Sequence, residues 1–169
     1  ALVLLVAISG PGAAWYLVLA VIVSMVPPLL WLGRGIYLGR ISDLDVSRHE
    51  ERFGLYIVGA TACLLAVILM LALGAPPDLT ATFASAVCAM LVAVPVHWVM
   101  KPSVHVGVLT LAVINLAPRL PMTAIAFGLA TALVAWARWH LERHTAREVV
   151  AGAALGLAGV LMVRSLGVG

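Results

Sequence analysis

Six apolar stretches, each near the roughly 20 residues that an α-helix needs to cross a bilayer, follow one another along this chain and are parted by Pro, Gly and charge. They are read as 13–39, 54–74, 80–100, 102–117, 122–139 and 147–166. The breaks are 40–53, Ala75-Pro76-Pro77-Asp78, Lys101, Pro118-Arg119-Leu120-Pro121 and a charged joint before Arg147, where helix-breaking residues and charge coincide. Apolar residues make up 64% of the chain and charged residues 10%, outside the range of a water-soluble domain. The expected fold is all-α: a polytopic membrane helical bundle with a six-helix core, one membrane-embedded domain over residues 1–169. Residues 1–9 are too short to span and read as the tail of a preceding segment, while Pro27-Pro28 is expected to kink the first span.

Each span carries the chain across the membrane, so every second connection lies on the same face. That face collects Arg34, Arg40, Arg48, Arg52, Lys101, Arg138, Arg143 and Arg147, and the opposite face holds Arg119 and Arg164. His49, His105, His140 and His144 fall on the basic face, with His97 about one turn from it. The tendency of Lys and Arg to lie in cytoplasmic loops accounts for a basic face, but not for histidines and acids at fixed spacing from it. Ionisable residues at span ends are costly unless they pair or act, so the cluster marks a functional site.

Two patterns give the cluster its chemistry. Lys101-Pro102-Ser103-Val104-His105 sets an ammonium, a hydroxyl, helix-start N–H groups and an imidazole around one small volume, a set that suits an anion. Ala137-Arg138 is followed after five residues by His144, and Glu148 stands one helical turn beyond, where its carboxylate can hold the His144 ring. Between Arg40 and Arg52 basic and acidic residues alternate, and Asp43, Asp45, Glu50 and Glu51 read as partners of the arginines, with metal ligation as the alternative.

At these residues the chain resembles the type 2 phosphatidic acid phosphatase superfamily, integral membrane lipid phosphatases related to vanadium haloperoxidases. Pro102-Ser103-Val104-His105 matches three of the four positions of that family's Pro-Ser-Gly-His motif. Ala137-Arg138, five residues, His144, three residues and Glu148 keep the spacing of its Ser-Arg-His-Asp motif, with Ala for Ser and Glu for Asp. The family's first motif, Lys, six residues, Arg-Pro, is not present as such. Lys101 takes the place of its lysine, and Arg48 or Arg52, with Arg40 as third choice, takes that of its arginine.

The resemblance implies hydrolysis of a lipid phosphate monoester or diphosphate, polyprenyl or phosphatidic-acid-like, without metal or other cofactor. Lys101, Ser103, Arg138 and Arg48 or Arg52 would bind phosphate. His144 would attack phosphorus and carry a phosphohistidine, Glu148 would orient it, and His105 would protonate the leaving oxygen and then activate water. A catalytically inactive phosphatase-like scaffold and an anion or proton transporter are the competing readings. A transporter would show ionisable groups at mid-membrane depth or repeated halves, and the sequence has neither.

The remaining features have plainer readings. Cys63 and Cys88 have no partner at redox or metal spacing. Gly35/Gly39 and Gly152/Gly156 let helices approach, inside the bundle or in a homodimer. Trp15, Trp31, Trp98, Trp136 and Trp139 fit an interfacial belt. The positive charge belongs to the active face and to anionic membrane lipids, and nothing suggests nucleic acid. The expected location is the cell membrane, with the face of the site open.

Overall fold

Helices form over all six apolar stretches in the computed structural model, which describes residues 12–44, 46 and 48–167. They are α1 (Ala13–Tyr37), α2 (His49–Ala72), α3 (Pro77–His97), α4 (Val104–Leu116), α5 (Pro121–His140) and α6 (Ala146–Ser165). The expected tail at 1–9 lies outside the described residues. All helices but α4 are long and apolar enough to cross a membrane, and α4 has 13 residues. At 1.5 Å per residue α4 reaches about 20 Å, short of the roughly 30 Å of a bilayer's hydrocarbon core. Over the described residues the protein is an all-α bundle of six helices with the character of an integral membrane protein.

Local chemistry sets the helix ends. Gly39, at φ 65°, closes α1: its N–H donates to the Ile36 carbonyl at 2.9 Å, and Arg40 N–H donates to Gly35 at 2.8 Å. That paired closure needs a left-handed residue, which glycine adopts at no steric cost. α1 runs through Pro27 and Pro28 without ending. α3 stops at His97, three residues earlier than the sequence implied. Pro95 sits in its last turn, and Pro102 disfavours helical geometry at Lys101, so 98–103 form an irregular link. α2 starts five residues before the expected span, which makes the end of the polar segment helical and puts Arg52 on the α2 shaft.

Packing runs α1 on α2, α2 on α3, α3 on α6, α6 on α4 and α4 on α5. The last helix therefore sits in the middle, between α3 and α4. Glycine makes this possible. A Cβ at Gly152 would meet the Ser103 backbone oxygen, one at Gly156 the Gly107 oxygen, and one at Gly159 the Ser85 oxygen. The Gly152/Gly156 pair thus serves close approach of α6 to α4 inside the bundle. Gly35 packs against Ile41, and Gly39 is used as a cap.

Leu17, Ala20, Ala66, Met70, Leu79 and Phe83 form the core shared by α1, α2 and α3. Outward faces are apolar as well: Met122, Ile125, Leu129, Leu133 and Trp136 on α5 are all exposed. Such a surface suits lipid, in which every backbone polar group must be satisfied within the helix. Trp15, Trp98, Trp136 and Trp139 are exposed near helix ends, whereas Trp31 packs inward, where it would meet any side chain placed at Gly54.

Candidate active site

The turn from α5 to α6 explains the Arg138–His144 spacing. Leu141 caps α5 and Glu142 follows at φ 55°; the N–H groups of Glu142 and Arg143 donate to the carbonyls of Trp139 and Arg138 at 3.0 and 3.1 Å. Glutamate thus occupies the left-handed position where glycine is usual. His144 N–H also donates to the Arg138 carbonyl, at 3.0 Å. Five intervening residues are what the chain uses to leave α5 and turn back. Thr145 then caps α6. Its Oγ1 accepts from Glu148 N–H at 3.3 Å, and Glu148 Oε2 accepts from Thr145 N–H at 2.8 Å, a reciprocal capping box.

The link from α3 to α4 lies against this turn. Ser103 N–H donates to the Glu148 backbone oxygen at 3.0 Å, and Lys101 N–H donates to Glu148 Oε1 at 3.3 Å. His144 Nδ1 is 3.1 Å from the Lys101 carbonyl oxygen. A carbonyl can only accept, so Nδ1 carries the proton and Nε2 is left with its lone pair. Nε2 faces Arg138 Nη2 at 3.4 Å. Glu148 Oε2 is 3.6 Å from Nδ1, beyond hydrogen-bond length. The Lys101 carbonyl, rather than Glu148, is therefore the group that holds the ring, because the capping box and Lys101 N–H already engage the carboxylate.

Arg52 completes the group from α2. It is 5% exposed, and its Nε donates to the Val46 carbonyl at 2.8 Å. Val46 is itself buried at φ 48°, a strained conformation for a β-branched residue, in the segment above the site. Burial, then repulsion from Arg52, Arg138 and Lys101, holds the His144 imidazole down from 6.5 to about 4, against the opposing pull of Glu148. At neutral pH the site is a buried, uncharged imidazole among three cations and one carboxylate. Ser103 is fully buried, its hydroxyl does not cap α4, and its Oγ has no hydrogen-bond partner among the described residues. A buried orphan hydroxyl costs about 1–3 kcal/mol and needs an explanation.

The structure thus brings together Arg52, Lys101, Ser103, Arg138, His144 and Glu148 at the end of the bundle that carries eight of the ten basic residues. Arg48 stands apart: its side chain is 73% exposed and reaches Glu51 at 3.9 Å. Arg40 is exposed too. His105 lies on the first turn of α4, two residues from Ser103, and is exposed. Glu51 accepts from Ser42 N–H and Oγ, both at 3.0 Å. Among the described residues no three of His, Cys, Asp and Glu are grouped to share a metal ion.

No protein family, curated protein or solved structure matches the chain.

Two contributors went unnoticed in the sequence. Tyr56, buried on α2 one turn after Arg52, lies within the influence of the Arg52 guanidinium and edge-on to His97 at 5.4 Å. Its signal was the four-residue spacing from an arginine. Thr145 is the other, and Thr-x-x-Glu before an apolar run was the cue. Below Ser103 and Tyr56 a cavity of about 230 Å³ runs into the bundle between α1, α2, α3, α4 and α6, with walls such as Met90, Ala93, Leu111 and Leu155.

Proposed function

We propose that this protein is a membrane lipid phosphatase that works through a phosphohistidine on His144. The observation that carries the reading is the state of His144: buried, neutral, its proton fixed on Nδ1 by the Lys101 carbonyl and its Nε2 lone pair turned to the Arg138 guanidinium. A nucleophile for phosphorus needs that bare nitrogen, and the dispersed charge of a transferring phosphoryl group needs fixed cations around it. Arg52, Lys101 and Arg138 provide them. The orphan Ser103 hydroxyl has a use as a donor to a phosphate oxygen.

In the first step Nε2 forms a bond to phosphorus as the ester P–O bond breaks, and the departing alkoxide takes a proton from His105. The imidazole then bears positive charge, which the Lys101 carbonyl and the nearby Glu148 carboxylate offset. In the second step water gives a proton to His105, its oxygen joins phosphorus, and the P–N bond breaks to release phosphate. The exposed position of His105 suits exchange with a leaving group and with water.

A lipid substrate is supported by the apolar cavity that adjoins Ser103. Its volume of about 230 Å³ takes a stretch of apolar chain beside the phosphate site, as a polyprenyl phosphate or diphosphate or phosphatidic acid would present. The test is phosphate release from a panel of lipid phosphates in micelles, with and without chelator, by the parent protein and by His144→Ala. Release that His144→Ala abolishes supports the reading. No release from any lipid phosphate by the parent protein would favour the catalytically inactive scaffold, to which Val104, Ala137 and Glu148 belong as departures from the resembled motifs.

A further inference from the structure

A second cavity, of about 420 Å³, opens at the other end of the bundle, between the first turns of α3 and the last turns of α4 and α6. Asp78, Arg119 and Arg164 stand at its mouth, and Asn115, Thr82 and Ser85 line it one to two turns deeper. We infer that this cavity is a second anion site, which takes a phosphate group bearing at least one O–H. The inference is independent of the phosphatase reading.

Charge is the first ground. Arg119 pairs with Asp78 at 2.6 Å, so one guanidinium is offset. The other, Arg164, donates from Nη2 to the Ile114 carbonyl at 3.1 Å, a bond that fixes its direction without neutralising it. The lining keeps one net positive charge at headgroup depth, where anionic phosphate lies. Chain parity places these two arginines, of the ten basic residues, on this face.

Hydrogen bonding is the second. Asn115 Nδ2 is buried and has no partner among the described residues. An unmade donor at the edge of the hydrocarbon region is costly, and a phosphate oxygen would satisfy it. Thr82 Oγ1 and Ser85 Oγ spend their protons on the carbonyls of Asp78 and Ala81 at 2.9 and 2.8 Å, so toward the cavity their oxygens can only accept. Donors from Arg164 and Asn115 together with acceptors from Thr82 and Ser85 match an oxyanion that also carries a hydroxyl. A monoester phosphate or inorganic phosphate has that form; a phosphodiester or sulfate anion lacks the hydroxyl.

The phosphate can come from a lipid of this leaflet or from water, and the experiment separates the two. Arg138→Gln protein is used throughout to weaken phosphate binding beside His144, and the second-cavity variants are made in that background. Inorganic phosphate is titrated calorimetrically into the micelle-bound protein. In parallel, protein in phosphatidylcholine nanodiscs with and without phosphatidic acid is released into native mass spectrometry. Saturable phosphate binding, or retention of one phosphatidic acid, is expected, and Asn115→Leu and Arg164→Gln should each weaken it at least tenfold. Thr82→Val keeps volume and should weaken it severalfold with an unchanged thermal midpoint, which guards against loss of fold in the other two. Phosphate binding alone identifies the soluble source, and retained lipid alone the membrane source. Binding that none of the three variants alters, or no binding of either probe, overturns the inference and leaves a water-filled recess.

Discussion

Gly152→Ala tests the packing that assembles the site. An added Cβ would fall on the Ser103 backbone oxygen, with the Ser103 carbonyl carbon and nitrogen both at 3.1 Å, so the obstacle is backbone and no rotamer change relieves it. α6 must move away from the start of α4 by roughly 1 Å to reach ordinary contact. Overpacking of this kind costs about 1–3 kcal/mol, and the gain of about 1 kcal/mol from alanine in a helix offsets part of it. A net loss of up to about 2 kcal/mol is expected, because relief needs a shift of the helix rather than of a side chain. The larger effect is on function. The same movement stretches the Ser103 N–H bond to Glu148 and the Lys101 carbonyl bond to His144, now 3.0 and 3.1 Å. A misplacement of about 1 Å can lower turnover on the order of 100-fold. Gly128→Ala is the control, since nothing lies within 4 Å of a Cβ there. Thermal-shift and phosphate-release measurements on both variants check the point. Gly152→Ala with the parent's midpoint and activity would refute the reasoning.

Acid should destabilise the fold in a defined window. His144 titrates at about 4 in the fold and near 6.5 when unfolded, so between those values the unfolded chain binds a proton that the native one does not. The His144 contribution to stability therefore falls as pH drops from about 6.5 to about 4, by up to about 3 kcal/mol, and His144→Gln should flatten the dependence in thermal scans across that range. Glu142→Gly should raise stability by about 1 kcal/mol by relieving the left-handed residue at φ 55°, with activity retained, as thermal shift and phosphate release will show. Arg52→Ala should lower phosphate release at least 100-fold, whereas Arg48→Ala should leave it within about twofold, since an exposed ion pair is worth little.

Much of this architecture was legible in the sequence because a bilayer imposes length, and six runs near 20 residues leave few alternatives. The face shared by Arg138, His144 and Lys101 followed from parity alone. What stayed hidden depended on local backbone. Arg48 and Arg52 are equivalent by composition, and only the early start of α2 turns Arg52 inward and Arg48 out. Glu148 at one turn from His144 looked like its orienting partner. The capping box with Thr145 was an equally available use of the same carboxylate, and it left the ring to a carbonyl, which no side-chain pattern reports. In the sequence the link at Lys101 has the look of a single junction residue. Pro95 and Pro102 lengthen it to 98–103, and that length lets it fold over the start of α6.

The central claim is that His144 Nε2 becomes covalently phosphorylated. The direct measurement is a base quench of the parent protein during turnover of a lipid phosphate, since a phosphoimidazole survives base and hydrolyses in acid, followed by peptide mass spectrometry of the segment from Trp139 to Arg147. The account predicts a phosphorylated peptide with the modification on His144, absent from His144→Ala and accumulated in His105→Ala when the ester has a good leaving group. Phosphate release by the parent protein with an unmodified His144, or with the phosphoryl group on another residue, would contradict it.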